Sequence, residues 1–91
     1  MEDLSIIRER INEIDNKIVE LWKERMEICL SVAKYKKENN LPILDEKREK
    51  ELLNRIKNMA GDELGDYSVS LYKAIMEISR GYQQEFLDSD K

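Results

Sequence analysis

The N-terminal part of the chain contains an uninterrupted amphipathic segment that is long for so small a protein. Residues 4–39 include no glycine or proline, and their apolar side chains recur, with one position skipped, at steps of four and three residues: Ile7, Ile11, Ile14, Ile18, Leu21, Ile28, Val32 and Tyr35. This spacing predicts one helix of about 54 Å with a single apolar face. A compact domain of this size is only about 30 Å across. We therefore predict that a second copy of the chain covers the exposed apolar face.

Two shorter periodic segments follow, at residues 45–60 and 66–88. The first ends at Gly61, a residue type that commonly terminates helices, and neither segment shows the alternation expected of a strand. We predict an all-α fold with three helices per chain: a very long N-terminal helix, a short middle helix and a C-terminal helix. The 91 residues are expected to form a single domain, 1–91.

Composition excludes several classes of function. The chain has no histidine and a single cysteine, Cys29, so a histidine-based triad, the usual zinc ligand sets and an internal disulfide are excluded. Twenty acidic residues against sixteen basic ones give a net charge of −4, which argues against nucleic acid as the main partner. The longest apolar runs, such as residues 41–44, span only a few residues. We therefore expect no membrane span and no membrane partner, and we expect the chain to remain in the cytoplasm.

Five polar residues fall on helix faces that are otherwise apolar. Arg25 and Lys36 lie on the apolar face of the first helix, Glu49 on that of the second, and Ser79 and Gln83 on that of the third. Each has an ordinary structural explanation, because long cationic stems can cover a core and hydroxyl or amide groups can hydrogen bond within a bundle. Together they predict a pocket for an anionic ligand that also carries hydroxyl or ether oxygens. Ser79 has no base partner, so no nucleophile is evident.

Several polar motifs occur in a fixed order along nearly the whole chain. Residues 7–15 read IRERINEID, Arg25 follows ten residues later, residues 32–36 read VAKYK, residues 42–49 read PILDEKRE, and Ser79, Gln83 and Gln84 lie near the end. In these motifs and their spacing the chain resembles the all-helical chorismate mutases, which are homodimers of three-helix chains that convert chorismate to prephenate. The resemblance implies an intertwined homodimer helical bundle, chorismate as the substrate and no cofactor. It also implies a place in phenylalanine and tyrosine biosynthesis.

The resemblance assigns four residues to the reacting part of the substrate. Arg25 would bind one carboxylate, Arg8 from the partner chain would bind the other, and Lys36 and Gln83 would donate hydrogen bonds to the ether oxygen. Arg8 and Arg25 are seventeen residues apart, or about 25 Å along one helix. Because no small ligand spans that distance, both can serve one site only if they come from different chains.

The other assignments concern the ring of the substrate and the pocket wall. Glu49 and the backbone at Asp45 would hold the ring hydroxyl, Ser79 would assist a carboxylate, and Arg48 would brace the pocket near Glu49. The rearrangement of chorismate is a concerted pericyclic shift that transfers no proton and forms no covalent intermediate. A chain without histidine is therefore adequate for this chemistry.

Two other functions are compatible with the same pattern. An isochorismate-pyruvate lyase on this scaffold would share the dianionic ligand, although the carboxylate at Glu49 suits a ring hydroxyl and favours the mutase. A non-catalytic helical dimerisation module would instead need an unbroken apolar seam, and Arg25 and Gln83 interrupt it.

Overall fold

The computed structural model describes residues 3–89 and contains two helices joined by a short loop. Helix α1 spans Leu4–Glu38, and helix α2 spans Glu46–Ser89. The Asp3 side chain accepts a hydrogen bond from the backbone N–H of Ser5 and so caps the start of α1. Neither helix, over the described residues, has an apolar stretch long enough to cross a membrane. The all-α class and the long N-terminal helix are confirmed.

The prediction of three helices is wrong. The segments predicted as separate middle and C-terminal helices belong to one helical element, α2, in which Gly61 departs from helical geometry with φ 84° and ψ 175°. This region of backbone space is essentially restricted to glycine. A single residue therefore redirects the chain, and helical structure continues on both sides of it without an intervening loop.

Contacts across the bend explain how the two parts of α2 approach each other. Lys57 forms an ion pair with Asp66 at 3.3 Å. A Cβ atom added to the buried Gly65 would lie 3.1 Å from Cγ of Lys57 and 3.3 Å from its carbonyl oxygen. Gly61 thus permits the backbone conformation, and Gly65 permits the close approach that follows from it.

Replacing Gly61 with alanine should destabilise the protein by about 1–3 kcal/mol, because a side chain strains this backbone conformation. Gly81 is the matched control, since it lies in the same helix at ordinary helical φ with no atom within 4 Å of an added Cβ. Gly81→Ala should stabilise the fold by up to about 1 kcal/mol. Urea unfolding at one fixed chain concentration measures both changes. Equal shifts in the two variants would show that the bend does not depend on Gly61.

The core between α1 and α2 is small. Its buried apolar residues are Ala33, Leu52, Ile56 and Met76. In contrast, the apolar face of α1 is largely in contact with solvent, with exposed fractions of 38% for Ile7, 51% for Ile11, 55% for Ile14, 57% for Ile18, 63% for Leu21 and 64% for Ile28. The described chain extends 57 Å along its longest axis. A single copy therefore leaves most of the apolar stripe of α1 uncovered.

Candidate functional site

A cavity of about 160 Å³ between α1 and α2 collects most of the predicted site residues. Seven of the eight line it: Arg25, Lys36, Asp45, Arg48, Glu49, Ser79 and Gln83. Cys29 and Met76 line it as well. The exception is Arg8, which is exposed and lies seventeen residues before Arg25 on α1, outside the cavity.

Helical periodicity and the bend in α2 explain this clustering. On α1 the lining residues are Arg25, Cys29, Val32 and Lys36, whose steps of four, three and four residues form one stripe. The opposite walls come from two parts of α2, near residues 45–52 and 76–83, on either side of Gly61. Side chains more than twenty residues apart in one helix can meet here because the helix bends between them.

Arg25 is held in place by neutral groups. Its Nη1 donates a hydrogen bond to Oγ of Ser79 at 3.0 Å and contacts Sγ of Cys29 at 3.8 Å. Ser79 is only 4% exposed, and its hydroxyl points towards Sδ of Met26 at 3.8 Å. Arg25 forms no ion pair with any carboxylate among residues 3–89. A half-buried guanidinium without a countercharge is well suited to bind an anion.

Lys36 and Gln83 add an ammonium group and a buried amide to the cavity wall. Nζ of Lys36 donates to the backbone carbonyl of Ile43 at 2.6 Å, so the loop before α2 fixes the ammonium group. An ammonium has three donors, and this contact uses one of them. Gln83 is 7% exposed, and its Oε1 has no hydrogen-bond partner among the described residues. Buried polar atoms normally have partners, so a polar ligand would complete the hydrogen bonding of this amide.

The two carboxylates of the cavity have different partners. Asp45 caps α2, since its Oδ1 accepts a hydrogen bond from the backbone N–H of Arg48 at 3.0 Å. Glu49 instead forms an ion pair with Arg80, whose Nη1 lies 2.6 Å from Oε1 and 2.5 Å from Oε2. Arg48 lines the same cavity, but the ion pair with Glu49 is made by Arg80.

Sequence reasoning missed Arg80. It follows Ser79 directly and lies four residues after Met76 and three before Gln83, so it belongs to the same side of the helix. This spacing was the only feature of the sequence that could have placed Arg80 at the site. An arginine at the edge of an apolar stripe is usually solvated, and nothing in the sequence joins it to Glu49, which lies thirty-one residues earlier.

The charges that line the cavity favour an anion. Cationic side chains come from four residues and carboxylates from two: Arg25, Lys36, Arg48 and Arg80 against Asp45 and Glu49. The excess is therefore two positive charges (4 − 2) in a chain with a net charge of −4. Within residues 3–89, no three histidine, cysteine or carboxylate side chains lie close enough together to hold a metal ion.

Comparisons with known proteins connect this geometry to one family. Residues 7–84 match the model of the family described as chorismate mutase type II. The chain is 32% identical over 90 residues to the chorismate mutase of Methanocaldococcus jannaschii, an alignment that covers 97% of this chain and 91% of that protein. It is also 36% identical over 88 residues to a bifunctional chorismate mutase/prephenate dehydratase of Buchnera aphidicola, of which it spans 23%.

A solved structure has a similar fold. It is that of a conserved hypothetical protein from Pyrococcus furiosus, with a TM-score of 0.73 and 40% sequence identity. The similarity covers 88% of this chain and 93% of that one.

Proposed function

The chain belongs to the chorismate mutase type II family, and we propose that its cavity binds chorismate and rearranges it to prephenate without covalent or acid-base catalysis. Family membership confirms the predicted chorismate mutase function and its class, an isomerase. The observation that carries the proposed mechanism is the meeting of four groups in one cavity. They are two cations that form no ion pair within residues 3–89, Arg25 and Lys36, the hydroxyl of Ser79 and the amide of Gln83.

Arg25 binds one substrate carboxylate in this proposal. Chorismate carries two carboxylates, a ring hydroxyl and an ether that joins the enolpyruvyl arm to the ring. A guanidinium pairs with a carboxylate through two parallel hydrogen bonds, which orient the ligand as well as bind it. The contact with Ser79 at 3.0 Å fixes the guanidinium before the substrate arrives. Binding that holds the flexible arm over the ring lowers the entropic part of the activation barrier, because the substrate is already in its reactive conformation.

Lys36 and Gln83 act on the ether oxygen. As the C–O bond breaks, negative charge accumulates on this oxygen, so a cation and an amide N–H directed at it stabilise the transition state more than the ground state. Lys36 lies on α1 and Gln83 on α2, and both line the cavity. The Gln83 amide can rotate to present its N–H group, since its oxygen is not engaged by another described residue.

The ring hydroxyl is bound near the start of α2. Glu49 accepts a hydrogen bond from it, with the backbone at Asp45 as a second contact, and Arg48 braces the same wall. All three residues line the cavity beside the loop that positions Lys36. This arrangement orients the ring relative to the arm, which is the remaining requirement for a concerted shift.

We infer that the active form is a homodimer in which each site receives Arg8 from the partner chain. The apolar stripe of α1 supports this inference, because six isoleucine and leucine side chains on it are between 38% and 64% exposed. Arg8 lies on the same helix as Arg25 but outside the cavity. An isologous two-fold interface along α1 would bury the stripe and carry each Arg8 towards the other chain's cavity.

Mixing two inactive variants tests this shared site. Arg8→Ala and Arg25→Ala should each abolish most activity, and co-refolding them in equal amounts should restore about one quarter of the parent activity. This value follows because half of the dimers are mixed, and each mixed dimer contains one site with both arginines. The measurement is the initial rate of chorismate loss together with the fraction of heterodimer, determined with two different tags.

A second mixture is the matched control. Arg25→Ala and Lys36→Ala both affect the cavity of the same chain, so their heterodimer contains no intact site and should stay inactive. If Arg8 served its own chain, the first mixture would also fail to recover although heterodimers had formed.

The product formed distinguishes the mutase from the lyase. The proposed function requires that the purified protein convert chorismate to prephenate. Loss of chorismate absorbance and chromatography of the product measure this conversion. Release of salicylate and pyruvate from isochorismate, with no turnover of chorismate, would instead identify a lyase.

A dianionic mimic of the transition state should raise the melting temperature. If the protein turned over neither substrate and the mimic did not raise the melting temperature, the remaining interpretation would be a non-catalytic helical dimerisation module.

A further inference from the structure

The ion pair between Glu49 and Arg80 joins the two parts of α2 in the wall of the cavity. Nη1 of Arg80 lies 2.6 Å and 2.5 Å from the two carboxylate oxygens. The side chains of Arg80 and Glu49 are 33% and 25% exposed, respectively, so solvent screens the pair less than it would a pair on the surface. Thirty-one residues and the bend at Gly61 separate the two partners along the chain. The pair therefore belongs to the tertiary structure of the site and not to local helix chemistry.

Electrostatics explains why Glu49 needs a countercharge. In the proposed function the cavity binds a dianion, and an uncompensated carboxylate in its wall would repel both substrate carboxylates. Asp45 is already engaged by the start of α2. Arg80 compensates the charge of Glu49 and leaves Arg25 and Lys36, which form no ion pair with a described carboxylate, available to the ligand.

Hydrogen-bond capacity explains why the countercharge does not block the site. An ionised carboxylate offers about four acceptor positions on its two oxygens. Arg80 contacts both oxygens through a single nitrogen, so further positions remain for the ring hydroxyl. The same two contacts restrict rotation of the carboxylate and so fix the direction of the remaining positions.

We propose that Arg80 is a positioning residue, which compensates the charge of Glu49 and orients its carboxylate so that it can accept a hydrogen bond from the ring hydroxyl of a dianionic substrate. This assignment rests on the proposed function. It makes Arg80 act through Glu49 and not by direct contact with the reacting atoms.

A double-mutant cycle tests the assignment. Arg80→Gln should lower kcat/KM for chorismate by roughly 10- to 100-fold, the range that misplacement of a substrate group produces. Most of the loss should appear as a higher KM, because an uncompensated carboxylate repels ground state and transition state alike. In a Glu49→Gln background the same substitution should change kcat/KM by less than about threefold, since the group through which Arg80 acts has lost its charge.

Two further variants separate this role from a structural one. Arg80→Lys keeps a positive charge that can contact both oxygens, so it should recover much of the lost activity. Arg55→Gln removes an exposed arginine from the same helix and should leave kcat/KM unchanged. Circular dichroism verifies that each variant is helical. Equal losses in the parent and Glu49→Gln backgrounds would overturn the proposal and assign Arg80 a direct contact with substrate.

Binding of a bicyclic ether dicarboxylate, used as a transition-state mimic, provides a second readout of the cycle. Its Kd, measured by calorimetry, should rise with Arg80→Gln in the parent and stay nearly constant in the Glu49→Gln background. A parent protein that bound the mimic but did not turn over chorismate would refute the proposed function. The binding cycle would still decide whether Arg80 acts through Glu49.

Discussion

Replacing Lys36 with alanine should lower kcat/KM for chorismate by about 10³-fold while leaving the helical fold intact. The ammonium group lies in the cavity wall, and the carbonyl of Ile43 at 2.6 Å keeps it there. In the proposed mechanism it faces the oxygen on which charge accumulates. Its removal leaves this charge without a cation in a partly desolvated site, where electrostatic interactions are strong. The loss should appear mainly in kcat, because the interaction strengthens as the bond breaks.

Lys23→Ala is the matched control for this experiment. Lys23 lies on the same helix, its side chain is 68% exposed, and it forms an ion pair with Glu20 at 3.8 Å. A surface pair of this kind contributes little, so turnover and unfolding should both stay close to those of the parent. Stopped-flow or steady-state measurement of chorismate loss gives kcat and KM, and urea unfolding reports stability. Near-normal turnover in Lys36→Ala would remove this residue from the mechanism.

The long first helix could be predicted from the sequence, but the number of helices could not. Apolar residues that recur at helical spacing over a long segment without glycine or proline predict one continuous amphipathic helix. Helix α1 spans Leu4–Glu38 as expected. Gly61 was ambiguous, because a glycine with positive φ can end a helix or bend it. The difference depends on tertiary contacts, here the packing of Gly65 against Lys57. Such contacts leave no periodic signal in the sequence.

The composition of the cavity could be predicted largely because polar residues on apolar helix faces are rare and costly. Arg25, Lys36 and Gln83 stood out for that reason, and all three line the cavity. Arg80 did not stand out, because an arginine beside an apolar stripe is common on helix surfaces. Its importance depends on the distance to Glu49, which only the folded chain defines.

The core of the chain is small, and most of its buried residues also line the cavity. Only four apolar residues among those described are buried, and two further buried residues are the polar Ser79 and Gln83. Much of the well-packed interior is therefore the cavity wall itself. Because the exposed stripe of α1 must be covered for stability, we expect stability and activity to depend together on chain concentration.

Gln83→Glu should convert an enzyme with a weak pH dependence into one that is active only at acidic pH. The amide N–H donates at any pH, whereas a carboxyl group donates only when it is protonated. Above the pKa of the introduced carboxyl, the donor is lost and, in the proposed mechanism, a negative charge faces the ether oxygen as that oxygen becomes negative. Activity should therefore be highest below this pKa and fall about tenfold for each pH unit above it, since the active fraction is the protonated one.

Gln84→Glu is the matched control, because it makes the same chemical change one residue further along the helix. Gln84 is exposed and donates a hydrogen bond to Oδ1 of Asp88 at 2.9 Å, outside the cavity. Its variant should keep the pH profile of the parent, measured as kcat/KM between about pH 5 and pH 8. The two profiles thus separate a charge placed at the reacting oxygen from a charge added nearby. If Gln83→Glu were as active as the parent at pH 8, the donor to the ether oxygen would have to be another group, and Lys36 would then stabilise the transition state without an amide partner.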